Sequence, residues 1–353
     1  MKRLFDKIKT HYSSKLPFVA YHKPNTDNVS AFFMEDIALS FVSNFEEKGF
    51  VFAPFNSDEK AIIFSEEKSL MMSEELQIEA YILQDTILKS DTLSKEKHIK
   101  IVKKALEKIK THELQKVVVS REELLDISEF DLVELYKKLL SSYKNAFVYV
   151  WFHPMVGLWL GATPETLLNI EGTSFKTMSL AGTQVDVQNK PLIWKSKELE
   201  EQQLVTNFIE NQLVGIAGNL KTNKTETVKA GNLLHLRTKV SGDLNNSSSL
   251  EELIRALHPT PAVCGLPREL ARTFLFENEN YDRSFYTGFL GELNLQDSKD
   301  VVKSSALFVN LRCMRIQNNK AAIFVGGGIT KDSNAANEWE ETVFKAKTMK
   351  RML

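Results

Sequence analysis

Short apolar runs, and stretches whose side chains alternate between two faces, predict β-strands. The clearest stretches are Lys116–Glu122 (KVVVSRE), Ala146–His153 (AFVYVWFH) and Leu233–Leu244 (LLHLRTKVSGDL). Further strands are predicted over Leu158–Ala162, Ser174–Thr183, Val301–Arg312 and Met314–Ile316. The segment Lys221–Lys229 is polar throughout and is expected to be an excursion between a helix and a strand.

A second period, of three to four residues, predicts amphipathic helices. These helices are expected over residues 98–112, 126–143, 192–216, 248–257 and 269–276. The helix over 192–216 has the most complete apolar stripe, which includes Leu204, Phe208 and Leu213. The serines at 248 and 249, followed by glutamates, are a good signal for the start of the fourth helix.

The C-terminal stretch, Ala322–Lys345, combines a strand, glycines and a helix. A short apolar strand is expected to break at Gly326–Gly328, and a polar turn then leads into the helix. Successive glycines let backbone N–H groups converge on an anion. Glu338 and Glu341 lie three residues apart on one helical face, and Lys345 follows one turn later. The pattern favours a divalent ion between carboxylates and an anion, although a solvated helix face and a simple turn are the common alternatives.

A second pair of carboxylates has the same spacing. Glu198 and Glu201 lie three residues apart on the helix predicted over 192–216. If this helix faces the C-terminal one, four acidic side chains converge. A hard cation with oxygen ligands, such as Mg²⁺, is then the expected occupant.

Composition and charge narrow the class of protein. The chain has 353 residues, of which 43% are hydrophobic and 26% charged, and a formal net charge of −1. Dispersed Lys and Arg argue against a nucleic-acid partner. Two cysteines, Cys264 and Cys313, provide neither a disulfide framework nor a zinc motif. The charged N-terminus does not resemble a signal peptide, and no apolar run reaches the ~20 residues of a membrane span, so a cytoplasmic location is expected.

Four single residues are candidates for chemistry, each with a structural alternative. Lys116 shares a strand face with apolar side chains: a buried lysine can act as a general base, whereas a strand-end lysine can reach solvent. Glu165 follows Pro164 at a break between apolar segments, where it points into a cleft or simply lies in a turn. His235 is more often structural in such a strand. Arg312 is a fork for a substrate carboxylate or half of a structural ion pair.

Taken together, these motifs resemble the chorismate-utilising enzymes, and among them the isochorismate synthases most closely. The matching segments run in the family's order from about residue 98 to the C-terminus. They are KVVVSR (116–121), GATPETLL (161–168), LAGT (180–183), SKELEE (196–201), HLRTKVSGDL (235–244), LHPTPAVCGLPRELA (257–271), YDRSFYTGFLGEL (281–293), VNLRCMRI (309–316) and VGGGITKDSNAANEWEETVFK (325–345).

The resemblance implies an α+β fold: a single domain over residues 1–353, with two antiparallel sheets packed as a sandwich and helices outside. Residues 1–95 carry no family motif and are expected to be scaffold, and 96–353 to be the catalytic portion. The family suggests a monomer that binds the small molecule chorismate and has no membrane partner.

The resemblance also implies the chemistry. Lys116 matches the general base that takes a proton from the water attacking C2 of chorismate, and Glu165 matches the general acid that protonates the departing C4 hydroxyl. The product is isochorismate. Arg312 and Tyr286 match the pair that binds the enolpyruvyl carboxylate, and His235 matches a histidine beside the ring.

The remaining matches concern the metal and the carboxylates. Glu201 and Glu341 match direct Mg²⁺ ligands, and Glu198 and Glu338 match residues that hold the metal and its waters. The residues that match positions around the substrate carboxylates are Gly182, Thr183, Gly326, Gly328 and Lys345.

Two further enzymes and one inactive protein are the alternatives. Anthranilate synthase delivers ammonia and lacks the lysine base, so Lys116 favours water as the nucleophile. Salicylate synthase shares the lysine and then eliminates pyruvate, but such lyases tend to have threonine at the substrate-site position of Ala262. A catalytically silent chorismate-binding subunit would lack the acid, the base or a metal glutamate. Whether the product feeds menaquinone or siderophore synthesis stays open.

Three positions depart from the family pattern. Gln202 stands where histidine usually follows the metal glutamate, and a glutamine carries no charge. Gly327 replaces a usual alanine, and Cys264 stands where serine is common. Because neither a ligand nor the acid and base is lost, activity is expected.

Overall fold

The computed structural model describes residues 1–81, 92–127, 129–186, 192–230, 233–296 and 302–353, which form seven α-helices and eighteen β-strands. The helices are α1 (Lys2–Ser13), α2 (Thr92–Lys110), α3 (Leu132–Ser142), α4 (Ser196–Leu213), α5 (Leu250–Leu257), α6 (Arg268–Asn278) and α7 (Ala335–Lys350). The strands are β1 (Phe18–His22), β2 (Asn28–Met34), β3 (Gly49–Ala53), β4 (Ile62–Ser65), β5 (Ser69–Glu75), β6 (Lys116–Asp126), β7 (Phe147–His153), β8 (Gly157–Thr163), β9 (Thr166–Glu171), β10 (Ser174–Val185), β11 (Ala217–Thr222), β12 (Glu226–Ala230), β13 (Leu233–Leu244), β14 (Gly265–Leu266), β15 (Phe289–Leu295), β16 (Ser304–Val309), β17 (Cys313–Gln317) and β18 (Lys320–Ile329). No helix in these ranges is long and apolar enough to cross a membrane.

The strands form two antiparallel sheets, as predicted. The first sheet has the order β14-β6-β18-β17-β8-β7-β1-β2-β5. The second has the order β11-β13-β10-β9-β16-β15-β3-β4, with β12 paired to β13. An aromatic core that includes Phe52, Trp151, Trp159 and Phe285 packs between them.

Helices cover the outer faces of this sandwich. Apolar residues of α1, α3 and α7 pack on the outer face of the first sheet. The helices α4 and α5 pack in the same way on the second sheet. The N-terminal strands β1, β2 and β5 belong to the first sheet, and β3 and β4 to the second. The segment expected to be scaffold is therefore built into both sheets.

The glycine run of the C-terminal stretch does not interrupt the strand. Strand β18 continues through it, and Gly326, Gly327 and Gly328 pair with Ser120, Val119 and Val118 of β6. The predicted break is wrong, because the backbone hydrogen bonds of this segment are satisfied by the ladder rather than by a turn. The helix predicted after the polar turn is present as α7.

Other boundaries also differ from the prediction; α2, for example, begins at Thr92 rather than at residue 98. The helix expected from residue 126 begins at Leu132 instead, after Asp131 caps it by accepting from the N–H groups of Val133 and Glu134. The polar segment 221–229 contributes to β11 and β12, which pair with β13. Strand β16 ends at Val309, and Arg312 adopts a left-handed conformation (φ 46°) in the loop before β17.

Candidate active site

A cleft lies where β6 and β18 of the first sheet approach β10 and β13 of the second. Eleven of the fifteen predicted site residues line it. They are Glu165, Gly182, Thr183, Glu201, His235, Ala262, Tyr286, Arg312, Gly326, Glu341 and Lys345. The other four do not line it but lie next to residues around it; they are Lys116, Glu198, Gly328 and Glu338. Lining residues as far apart in sequence as Glu165 and Lys345 therefore meet in one place.

Lys116 is fully buried at the start of β6, so it does not reach solvent as the alternative required. Its Nζ lies 3.0 Å from Oε1 of Glu201. The two groups form an ion pair, but their geometry is not that of a hydrogen bond. Nζ therefore has no hydrogen-bond partner among the described residues. A lysine held in this way can exchange a proton with a molecule that enters the cleft.

Glu165 is also buried, with 2% of its surface exposed, at the junction of β8 and β9. Its backbone is fixed, because its carbonyl accepts from the N–H of Val309 at 3.0 Å. Burial raises the pKa of this carboxyl to about 8, although the charges of Lys116 and Lys345 act in the opposite direction. The carboxyl is therefore protonated at neutral pH and can donate a proton.

His235 and Arg312 form a hydrogen-bonded pair beside the cleft. Burial, followed by the charges of Arg312 and Lys345, lowers the pKa of His235 to about 3. The neutral imidazole donates from Nδ1 to the carbonyl of Gly182 at 2.9 Å and accepts at Nε2 from Nη2 of Arg312 at 2.7 Å. This tautomer orients the guanidinium. Burial lowers the pKa of Arg312 to about 10, so it keeps its charge at neutral pH.

Tyr286 and Lys345 approach the glycine strand from two sides. Tyr286 stacks on Phe324 with ring centroids 5.5 Å apart, and burial raises the pKa of its phenol. Its hydroxyl would lie 3.1 Å from a Cβ at Gly326, so only glycine leaves it ample room. Lys345 donates to the Gly326 carbonyl at 2.9 Å and pairs with Glu341 at 2.7 Å.

Three of the four predicted metal glutamates come together around Gly327 and Gly328. This carboxylate cluster consists of Glu201, Glu338 and Glu341. Each member pairs with a lysine: Glu201 with Lys116 at 3.0 Å, Glu338 with Lys197 at 2.6 Å, and Glu341 with Lys345 at 2.7 Å.

Glu198 points elsewhere: its Oε2 accepts from the backbone N–H of Lys195 at 3.0 Å and so caps α4. In the described ranges, no three acidic, histidine or cysteine side chains are close enough together to form a preassembled metal site.

The carboxylate cluster nevertheless has the chemistry that suits a hard cation. Glu338 is 1% exposed, and its Oε2 has no hydrogen-bond partner among the described residues. Burial and the nearby charge of Glu341 raise the pKa of Glu338. Oxygen donors that repel one another at a buried point are stabilised by a divalent cation such as Mg²⁺ or Ca²⁺. The residues present therefore fit such an ion, provided that the lysines can give way.

Arg283 was not assigned a role from the sequence, although it stands three residues before Tyr286. It donates to the carbonyls of Val118 at 2.6 Å and Val263 at 2.9 Å, and it pairs with Glu279 at 2.7 Å. The guanidinium thus ties β6, which bears the buried lysine, to the loop on the other side of the cleft. The only signal for this role in the sequence is an arginine three residues before the tyrosine.

Gln202 also has a structural role. Its Nε2 donates to the carbonyl and hydroxyl of Ser179 at 3.1 and 2.8 Å, and to Thr238 at 3.0 Å. These bonds join α4 to β10 and β13. They explain how a neutral amide can occupy this position, because the contacts require a donor rather than a charge.

Comparison with known proteins agrees with this geometry. The family model "chorismate binding enzyme" matches residues 51–353. The isochorismate synthase MenF of Bacillus subtilis is 30% identical over 276 residues, which are 75% of this chain and 57% of that protein. The isochorismate synthase EntC of Escherichia coli K12 is 30% identical over 256 residues, 68% of this chain and 62% of that protein. The matched segments thus span less than two thirds of these relatives.

Solved structures show the same fold. One is described as a 2,3-dihydroxybenzoate-specific isochorismate synthase, DhbC, from Bacillus anthracis. It has a TM-score of 0.81 and 24% identity, and the match covers 99% of both chains. Anthranilate synthase component I from Streptococcus pneumoniae has a TM-score of 0.68 and 18% identity, covering 94% of this chain and 92% of that one. With two antiparallel sheets and a family model that matches residues 51–353, the chain belongs to the chorismate binding enzyme family.

Proposed function

We propose that this protein converts chorismate to isochorismate by adding water at C2 and removing the C4 hydroxyl. One water enters and one leaves, so the reaction is an isomerisation. The observation that carries the proposal is the pair of buried groups in one cleft: Lys116 with no exposed surface, and Glu165 with a pKa of about 8. The relatives named isochorismate synthases support the same reaction.

The acid and the base divide the work between two sites on the ring. Lys116, when uncharged, takes a proton from the water that attacks C2. Glu165 is protonated at neutral pH and gives its proton to the departing C4 oxygen, which leaves as water. The double bonds of the ring shift as the new bond forms at C2 and the old one breaks at C4. The exchange needs a protonated acid and an unprotonated base, and the proposal assigns these roles to Glu165 and Lys116.

Substrate binding in this proposal uses the cationic side of the cleft. Chorismate carries two carboxylates, and a planar guanidinium is suited to bidentate carboxylate binding. Arg312, oriented by His235, and the phenol of Tyr286 are assigned to the enolpyruvyl carboxylate. Lys345 and the nearby glycines are assigned to the ring carboxylate.

Mg²⁺ is part of the proposal. Glu201 and Glu341 would hold it directly, while Glu338 would hold its bound waters. Glu198 is left out of this set, because its carboxylate caps α4. When bound, the ion supplies positive charge that neutralises the ring carboxylate and draws electron density from the ring. Support comes from the oxygen-only donor set and from the unpartnered Oε2 of Glu338.

The principal alternative is a salicylate synthase, which would continue from isochorismate by eliminating pyruvate. Ala262 lines the cleft at the position where such lyases tend to have threonine, and this favours a reaction that stops at isochorismate. The similar proteins include isochorismate synthases named as menaquinone-specific, as vibriobactin-specific and for salicylate biosynthesis, so the pathway is not assigned.

Product analysis tests the proposal. The purified protein is incubated with chorismate, with and without Mg²⁺, and the products are separated by liquid chromatography. Isochorismate that forms only with Mg²⁺ is the expected result. Salicylate with pyruvate would establish the lyase instead, and a protein that binds chorismate without turnover would contradict both enzymes. The Glu165→Gln variant, which keeps the shape of the acid but lacks its proton, serves as the inactive control.

A further inference from the structure

The carboxylate cluster is already neutralised by the protein. Its three members carry three negative charges, and the three lysines paired with them carry three positive charges. A divalent cation gains little electrostatic energy from a neutral cluster. One of the lysines must therefore withdraw before a metal ion can bind well.

We infer that Lys197 is a built-in cation that occupies the carboxylate cluster and is displaced when a divalent metal ion binds. The inference rests on the metal site of the proposed function and deepens it, because it adds a residue that limits metal affinity. Lys197 lies in the first turn of α4, and its Nζ donates to Oε1 of Glu338 in the first turn of α7 at 2.6 Å.

The surroundings of Lys197 connect it with the whole cluster. Burial alone would lower the pKa of Lys197, but the charges of Glu338, Glu341 and Glu201 raise it. The ammonium group thus interacts with all three carboxylates. Glu338 still has one buried oxygen without a hydrogen-bond partner in the described ranges, so the lysine satisfies this carboxylate only in part.

Lys197 is also the lysine most able to move. Lys116 is fully buried. Lys345 is exposed to the same extent as Lys197, at 21%, but it has a second bond, to the carbonyl of Gly326 at 2.9 Å, which holds it in place. The Lys197 side chain is 21% exposed, so its ammonium group can swing into water. Its place in the first turn of a helix, where the backbone dipole disfavours positive charge, lowers the cost of leaving.

Removal of this charge should strengthen metal binding. In Lys197→Met the cluster keeps an uncompensated negative charge, and a unit charge at about 6 Å from a dication in a water-like medium changes the binding constant by about tenfold. Lys197→Arg retains the charge and should bind metal no more tightly than the wild type. Lys331→Met is the matched control, because Lys331 pairs with the exposed Glu200 outside the cluster and the change in net charge is the same.

The experiment measures metal binding directly. The full chain is titrated with Mn²⁺ in the absence of chorismate, and free Mn²⁺ is followed by electron paramagnetic resonance. Circular dichroism checks that each variant is folded. A dissociation constant about tenfold lower for Lys197→Met, with Lys331→Met and Lys197→Arg near the wild-type value, is the expected result. An unchanged or higher constant for Lys197→Met overturns the inference, as does a folded protein in which no variant binds Mn²⁺.

The outcome can be separated from that of the proposed function, because chorismate turnover is measured independently. If Lys197→Met tightens Mn²⁺ binding while the wild type forms no isochorismate, the proposed function fails and the displaced lysine stands. If the wild type forms isochorismate with Mg²⁺ but Lys197→Met binds Mn²⁺ as the wild type does, only the inference about Lys197 fails.

Discussion

Replacement of Glu165 by glutamine is expected to stabilise the protein at alkaline pH while abolishing turnover. Burial raises the pKa of Glu165 from 4.5 to about 8 in the folded protein. In the unfolded chain the carboxyl is in water, so between these two values the folded state holds more protons than the unfolded state. Stability must therefore fall as the pH rises through this window and level off above it. Glutamine has a similar shape and no proton to lose.

The size of the effect follows from the two pKa values. Through this group alone, the wild type loses about 2 kcal/mol of unfolding free energy by about pH 6 and about 5 kcal/mol by about pH 9. The stability of Glu165→Gln relative to the wild type should therefore increase by about 2–3 kcal/mol between these two pH values. The other titrating groups are common to both proteins and largely cancel in the difference.

Urea unfolding followed by tryptophan fluorescence measures this difference, since Trp151 and Trp159 are fully buried. The two proteins are compared at a series of pH values, with Glu171→Gln as a control at an exposed position on the neighbouring strand β9. The control should show no gain that grows with pH. A difference between Glu165→Gln and wild type that is flat from neutral to alkaline pH would refute the reasoning: it would mean that Glu165 is already ionised and cannot be the acid.

Three further changes test the site. Lys116→Ala should reduce chorismate turnover by about 10²–10⁴-fold while calorimetry still detects chorismate binding; near-normal rates would remove it as the base. Gly328→Ala should abolish turnover in a folded protein, because its Cβ displaces the Glu201 carboxylate. Gly327→Ala should stay active, because the nearest atoms to its Cβ lie at 3.5 and 3.6 Å. Equal activities of the two variants would contradict this reasoning. Arg283→Gln should lower the unfolding free energy by about 3–5 kcal/mol, because Glu279 loses its buried partner. Urea unfolding measures this loss, and a smaller loss would show that the ion pair is not needed for stability.

The fold was predictable wherever one face of an element is buried. The apolar runs of β6 and β7, the partial alternation of β13 and the stripe of α4 follow from side chains that pack against a core. The polar strands β11 and β12 were missed because both of their faces are mostly exposed, so their pairing with β13 leaves no hydrophobic pattern. Ladder partners far away in sequence are not encoded in local periodicity.

The residues around the cleft could be named from the sequence, but the contacts between their side chains could not. Family motifs named Glu165, Lys116 and the glutamates, because each lies in a segment with a recognisable order of residues, and the structure places them at or beside one cleft. The contact between Lys197 and Glu338 joins two helix starts 141 residues apart, and no spacing within either helix indicates it. For Glu198 the spacing was misleading. It has the same spacing to Glu201 as Glu338 has to Glu341, which suggested a metal site, yet its carboxylate caps its own helix.

The glycine strand explains why these groups can meet at all. Alternation along β18 directs Gly326 and Gly328 to one face and Gly327 to the other. A Cβ at position 328 would collide with Glu201, while one at position 327 would touch Glu338 and Glu341. Because all three positions are glycine, the carboxylates can approach the backbone of β18 closely from both faces. The ladder with β6 keeps this backbone in place, while the missing side chains leave space for the carboxylate cluster.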